Sequence, residues 1–402
     1  MSVTSIVGGW TSWNKLRGND DDDWVDRLSH IYTVVLLIIF ALFTGGGQYA
    51  GDPIQCWCPA HFTGSYVAYT KSYCWIKNTY YLPMQDTIHP NNDTHHQNEL
   101  TYYQWIPLIL LFMAFLFKFP SFIWRMLAGY SGINMGKLVE MAGSTQVADQ
   151  KKRNQTVEHI CLYLDRWLEA NRQYHYNIIV RMRQRASKFL FLCNKREGTF
   201  LTGLYLLIKA LYVVNVICHF FLLNAFLGGF FEMWGFEAIN SLANEAVTKE
   251  SRRFPRVTLC DFKIRQLQNI QDYTVQCVLP INLFNEKIFT FLWFWFVLVA
   301  VVTCASFLMW FWRTIFRRNR VTIVKKYLKI NDNFQAGDKK LCKRFADQYL
   351  RDDGIFLLRI IERNTNDILM TDLVSKMWEI YRNKPMIRKE LEGGEPNGDT
   401  YA

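Results

Sequence analysis

Five of the ten cysteines in this 402-residue chain cluster in two polar stretches that carry most of its potential chemistry. Cys56, Cys58 and Cys74 lie in one stretch, Cys260 and Cys277 in another. Two such loops with similar spacing, 56 to 74 and 260 to 277, suggest a paired disulfide framework if they share an oxidising compartment. Four cysteines allow three connectivities, and spacing does not choose among them. Cys58 makes the count odd, so it is a free thiol, a competitor of Cys56 or a link between chains. Other chemistry is poorly supplied. His89, His95 and His96 lack the HxxxH spacing and nearby carboxylate pair of a zinc site. Gly45-Gly46-Gly47 has no strand before it and no lysine after it, so it cannot cradle a phosphate, and no GxSxG nucleophile elbow occurs. No cofactor or metal is called for, and the chain does not read as an enzyme.

What must position those cysteines is a set of four apolar blocks: Ile31–Ala50, Trp105–Trp124, Phe200–Phe231 and Ile288–Trp312, the last without a charged residue. Each reaches the roughly 20 residues a helix needs to cross a bilayer core. Basic residues set the orientation. The stretch 129–200 holds 12 Lys and Arg against 6 acids, and 313–402 holds 19 against 13, whereas 51–101 holds 2 against 4. The positive-inside rule therefore predicts cytosolic termini and a cytosolic middle loop, with the two cysteine-bearing loops outside. The net charge of +11 is thus mainly a topology signal with affinity for anionic membrane lipids, and nucleic-acid binding has no support. On that outer side Asn92-Asp93-Thr94 is a usable glycosylation sequon; Asn154-Gln155-Thr156 falls inside and is not.

The fold class expected is an all-α membrane protein: a four-transmembrane-helix bundle with disulfide-linked extracellular loops and a helical cytosolic domain. Its segments read as an N-terminal helix at 1–22, spans at 23–50, 103–128, 200–231 and 287–313, outer loops at 51–102 and 232–286, a cytosolic loop at 129–199, a helical cytosolic domain at 314–390 and a disordered tail at 391–402. Lys118 and Lys209 lie where a lysine can snorkel to the cytosolic surface. Asn215, His219 and Asn224 sit deeper and should face other helices or the pore rather than lipid, with helix–helix hydrogen bonds favoured over a role in ion selectivity. Cys218 and Cys304 read as packing residues within spans, and Cys161, Cys193 and Cys342 as reduced cytosolic thiols. Pro107 is tolerated in a first turn, and Pro120 predicts a kink. Asp20 to Asp23 reads as a solvated turn in which Asp23 caps the first span, with Asp26 three residues on. Apolar stripes at Val157, Ile160, Cys161, Leu164, Trp167 and Leu168, and at Leu369, Leu373, Met377, Ile380 and Tyr381, predict amphipathic cytosolic helices. In Ser2 to Leu16 apolar Val3, Ile6, Val7, Trp10 and Trp13 recur at helical spacing opposite Ser2, Thr4, Ser5, Thr11 and Ser12. Gly8-Gly9 weakens that helix, and by pattern alone a frayed or membrane-surface terminus is the simpler reading.

Particular motifs then become recognisable. Tyr102-Tyr103-Gln104-Trp105, followed by Ile106-Pro107, opens the second span; Gly51-Asp52-Pro53-Ile54-Gln55-Cys56-Trp57 follows the first; Tyr73-Cys74-Trp75 and Asp353-Gly354-Ile355-Phe356-Leu357-Leu358-Arg359 lie further on. With the four-span plan, this combination resembles the innexins, the invertebrate gap-junction proteins related to pannexins, over essentially the whole chain. The resemblance implies a homo-oligomeric ring, octameric in the family, around a wide pore in the plasma membrane. It implies docking of two rings across adjacent cells at gap junctions, passage of ions and small metabolites, and possible hetero-oligomers with other innexins. It implies pairing of Cys56 with Cys277 and Cys74 with Cys260, and an N-terminal pore helix that brings Ser2, Val3, Thr4, Ser5 and Ile6 to the entrance. Cys58 departs from the family pattern. Two other readings remain: an undocked hemichannel of pannexin type, and a four-span adhesion or receptor protein. The large basic middle loop and the lack of a CCG motif in the second outer loop oppose a tetraspanin form of the latter.

Overall fold

The computed structural model describes residues 22–83, 99–145, 150–171, 198–228, 233–243, 253–316, 318–331, 334, 336–385 and 387. The N-terminal segment at 1–21, with Ser2, Val3, Thr4, Ser5 and Ile6, lies outside these residues, as do Asn92, Cys193, the three loop histidines and the tail. Among the described residues four helices are long and apolar enough to cross a membrane: α1 (Trp24–Tyr49), Ile106–Ser131, Phe200–Leu227 and Pro280–Ile315. The chain divides into two compact units, one from the described parts of Tyr32–Phe119 and Val213–Val302, the other from those of Met1–Ile31, Pro120–Tyr212 and Thr303–Ala402.

The first unit contains an antiparallel five-stranded sheet. After α1 come β1 (Gln55–Trp57), α2 (Gly64–Lys77), β2 (Thr79–Tyr80) and β3 (Glu99–Leu100); later come β4 (Val257–Gln266) and β5 (Asn269–Val278). The strand order is β1-β5-β4-β2-β3, so strands from both loops interleave. The helical expectation holds for the spans, and the loops add this sheet. The long β4–β5 hairpin alternates as a half-buried ribbon should: Thr258, Cys260 and Phe262 on β4, and Val275 and Cys277 on β5, face inward. Its signal was present in Cys260-x-Phe262-x-Ile264 and Tyr273-x-Val275-x-Cys277. Strands of two or three residues carry no such period.

The second unit is helical. The continuations of α3 (Ile106–Ala128), α6 (Phe200–Leu227) and α8 (Pro280–Ile315) enter it, together with α4 (Met135–Ser144) and α5 (Gln150–Ala170). Between α6 and α8 in sequence, α7 (Trp234–Ala243) belongs to the sheet-bearing unit. After α8 follow α9 (Arg318–Ile330), α10 (Lys339–Arg344), α11 (Arg351–Asn364) and α12 (Asp367–Arg382). The expected stripes become its core. Val157, Ile160, Cys161, Leu164 and Leu168 pack in one cluster with Leu369, Leu373, Met377 and Tyr381, while Trp167 and Ile380 are partly buried against it. The α3 helix runs through Pro120. Cys218 is exposed and Cys304 half-buried, so neither fills a core position.

Candidate functional site

Cys56 is bonded to Cys277 and Cys74 to Cys260. Strand pairing explains why these partners meet: Cys56 sits opposite Cys277 across β1 and β5, while α2 rests on β1 and β4 and brings Cys74 to Cys260. The sulfurs of Cys56, Cys74 and Cys277 lie within 4.8 Å of one another, so the two bridges form one knot; all three are oxidised and offer no metal ligand. Cys58 is free, its thiol 3.8 Å from the Cys56 carbonyl oxygen. Burial raises its pKa above that of an ordinary thiol, against the opposing pull of Thr70 and Lys71, which keeps it protonated and a poor attacker of the neighbouring bridge.

The Tyr-Tyr-Gln-Trp motif works as a clasp beside that knot. The Tyr102 hydroxyl donates to the Arg253 carbonyl oxygen at 2.5 Å and accepts from Asn282 Nδ2 at 3.3 Å, reaching the second loop and the first turn of α8. The Tyr103 hydroxyl donates to the Trp75 carbonyl oxygen at 3.3 Å, and Gln104 Nε2 bonds to the same oxygen and to Asn78 Oδ1. From α1, Gln48 Nε2 donates to the Tyr103 carbonyl oxygen at 2.7 Å. The three side chains therefore satisfy backbone carbonyls at the end of α2 and around the hairpin, groups that are costly to bury unpaired. Trp105 is exposed, and Pro107 is buried in the first turn of α3. Within the spans of this unit Asn215 donates to the Leu116 carbonyl oxygen at 3.0 Å, and His219 stacks on Phe117 with Nε2 3.3 Å from the Met113 carbonyl oxygen. These are the expected helix–helix bonds. Gly235 is required by close approach, since a Cβ there would stand 2.0 Å from the Trp293 ring.

Two expectations fail in the helical unit. Lys209 does not snorkel, and Asp22 and Asp23 are not a solvated turn. Lys209 is fully buried, with Nζ 2.8 Å from Asp26 Oδ1, 3.5 Å from Asp23 Oδ2, and donating to Ser306 Oγ at 2.9 Å. Asp23 is 2% exposed; it caps α1 by accepting from the Trp24 N–H, and its other oxygen takes the Trp310 indole N–H at 3.1 Å and pairs with Arg363. Burial pushes the Asp23 carboxyl up, but the charges of Lys209 and Arg363 and the bonds from Trp310 and Arg363 outweigh it and hold it below the usual range. Asp26 accepts from the Tyr205 hydroxyl at 2.8 Å, and Asp22 pairs with Arg27 and His30. Acid and base neutralise each other here, which is why the lysine stays inside. The cluster joins the start of α1 to α6, α8 and α11. Sequence spacing hid it, because its partners lie far apart along the chain.

The second signature also has a structural reason. Asp353 is buried and accepts from the Thr202 N–H at 3.0 Å and its hydroxyl at 2.9 Å, capping the first turn of α6. Burial raises its pKa to about 6 despite those bonds and one from Leu201. Its own N–H donates to the carbonyl oxygen of Gly198, whose φ of +67° beside Arg351 suits glycine.

Comparison with known proteins gives these elements a context. The innexin family model matches residues 22–381. The chain belongs to the innexin family. Innexin unc-9 of Caenorhabditis elegans is 38% identical over 361 residues, covering 90% of this chain and 92% of that protein. Innexin-19 of Caenorhabditis briggsae is 34% identical over 405 residues (94% and 90%), and innexin-11 of Caenorhabditis elegans 34% identical over 394 residues (96% and 84%). As an innexin, with four apolar helices and two loop disulfides, the chain is a membrane-embedded gap-junction channel subunit that acts as an oligomer. The family consists of channel proteins rather than enzymes.

Proposed function

We propose that this innexin assembles as an octameric ring in the plasma membrane, with both termini in the cytosol, and docks with an opposing ring through its two sheet-forming loops. The observation that carries docking is the β4–β5 hairpin on its disulfide knot: rooted by Cys260 and Cys277, it ends in Leu267, which is 99% exposed at φ +53°. An apolar residue held in a strained, fully exposed turn is unfavourable for a free surface and suits one that is covered on assembly. The basic 129–200 and 313–402 segments support cytosolic placement of the helical unit. Ser2, Val3, Thr4, Ser5 and Ile6 narrow the entrance, tethered through the buried Asp22–Asp23 anchor that follows them. The Asn92 sequon falls in the first outer loop and can take a glycan, and co-assembly with other innexins would use the same loops.

Junctional current between two cells that both express the chain tests this reading. Current is expected; dye uptake by single cells without junctional current would leave an undocked hemichannel, and absence of both would contradict the channel reading.

A further inference from the structure

At the end of α8 the helical unit holds a cleft of about 560 Å³ lined by Trp312, Arg313, Lys326, Arg359, Glu362 and Arg363 among others. Four of these six are cationic and one is acidic. Two cations are already engaged: Arg363 with Asp23, and Lys326 with Glu362 and Asp367 at 3.6 Å each. Among the described residues neither Arg313 nor Arg359 has a carboxylate partner. Arg359 is only 8% exposed, and one guanidinium nitrogen donates to the Arg313 carbonyl oxygen at 3.2 Å. Burial, followed by the neighbouring charge of Arg313, lowers its pKa to about 10; Arg320 adds to that effect, and the carboxylates of Glu362 and Asp352 oppose it without forming an ion pair with Arg359. A buried guanidinium with no carboxylate in direct contact, and with Arg313 as its strongest charged neighbour, is costly unless an anion completes the site. The volume is in the range of small-ligand sites, and two guanidinium forks suit phosphate oxygens.

Position narrows the ligand further. Trp312 lies in the last turn of α8, is 63% exposed and shares the cleft wall. An indole at the end of an apolar span marks the membrane–water boundary, the depth at which headgroup phosphates lie.

We propose that this cleft binds a phosphate-bearing anion, held by Arg313 and Arg359, whether a lipid headgroup or a soluble phosphate compound. An occupied cleft joins the end of the fourth span to α9 and α11, and α11 carries Arg363 to the Asp23 anchor. Binding there therefore strengthens the hold of the helical unit on the start of α1.

Calorimetric titration of the full chain, purified in detergent with phosphatidylcholine only, tests this with three probes: a short-chain phosphatidylinositol bisphosphate, inositol trisphosphate and inorganic phosphate. One equivalent bound per chain is expected, weakened about tenfold by Arg313→Gln, as loss of one charge-assisted bond implies. Arg359→Lys keeps the charge but loses the fork, and should weaken binding while preserving the fold. Lys340→Gln, at an exposed position outside the cleft, should change nothing. Binding of the lipid alone identifies a membrane ligand, and equal binding of inositol trisphosphate or phosphate a soluble one; each supports the site. Absence of binding for all three probes, or the same affinity in Arg313→Gln, Arg359→Lys and the wild type, would overturn it.

Discussion

The two units of this innexin hold their parts together by opposite means. The sheet-bearing unit joins its loops by covalent bonds, the Cys56–Cys277 and Cys74–Cys260 knot, and uses neutral hydrogen bonds from Tyr102, Tyr103 and Gln104 to backbone carbonyls. The helical unit has no disulfide among its described residues. It joins helices distant in sequence through a large apolar core and one buried charge cluster, Asp23, Asp26, Lys209 and Arg363. A covalent knot fixes one geometry. A charge cluster sets its geometry by pairing and can be remade when a helix moves. The contrast suits a rigid pair of loops in one unit and an adjustable anchor for the start of α1 in the other.

The largest effect is expected from breaking the ionic side. Lys209→Met leaves Asp23 and Asp26 buried without their central cation and should cost about 3–5 kcal/mol, seen as a lower melting temperature of the detergent-solubilised oligomer. Adding Asp26→Asn should restore part of that loss, so a double-mutant cycle measures the coupling. If Lys209→Met melts like the wild type, the cluster is not an anchor.

Breaking one bridge of the covalent side comes next. Cys74→Ser should cost about 2–4 kcal/mol, while Cys58→Ser should be near neutral in the same melting assay. Equal losses from both would show that Cys58 belongs to the knot.

The comparison sharpens with pH, because only the helical unit carries a described carboxyl raised this far outside the spans. Folded Asp353 keeps its proton to about pH 6, against 3.8 for an unperturbed aspartate. Between those values the folded chain binds more protons than the unfolded one, so Asp353 lowers stability as pH rises through that window, by about 3 kcal/mol, and adds no slope above it. Asp353→Asn should remove this component from the pH profile of unfolding; an unchanged profile would place the titration elsewhere.

The smallest effect concerns the hairpin tip. Leu267→Gly relieves a positive φ and should stabilise the isolated subunit by about 1 kcal/mol while removing an apolar contact from the docking face. A more stable subunit with weaker junctional coupling would separate the tip's docking role from its folding cost.

Legibility from sequence followed the same division. The spans, the stripes at Val157–Leu168 and Leu369–Tyr381 and the loop cysteines declare themselves through length, period and residue type. The three shortest strands have too few residues to show a period, and their pairing depends on partners from the other loop. The charge cluster was invisible for a different reason: Asp23 beside other aspartates looks solvated, and Lys209 near a span end looks free to snorkel, until tertiary structure brings each to the other. A long-range ion pair leaves no local pattern.

The central claim is that the disulfide-braced sheet is the junctional face of this channel. Dual-cell recording of the wild type against the Cys74→Ser, Cys260→Ser double variant, with surface expression matched, tests it most directly. Junctional current in the wild type and its loss in the double variant is the predicted result; a double variant that reaches the surface and still couples the two cells would contradict the claim.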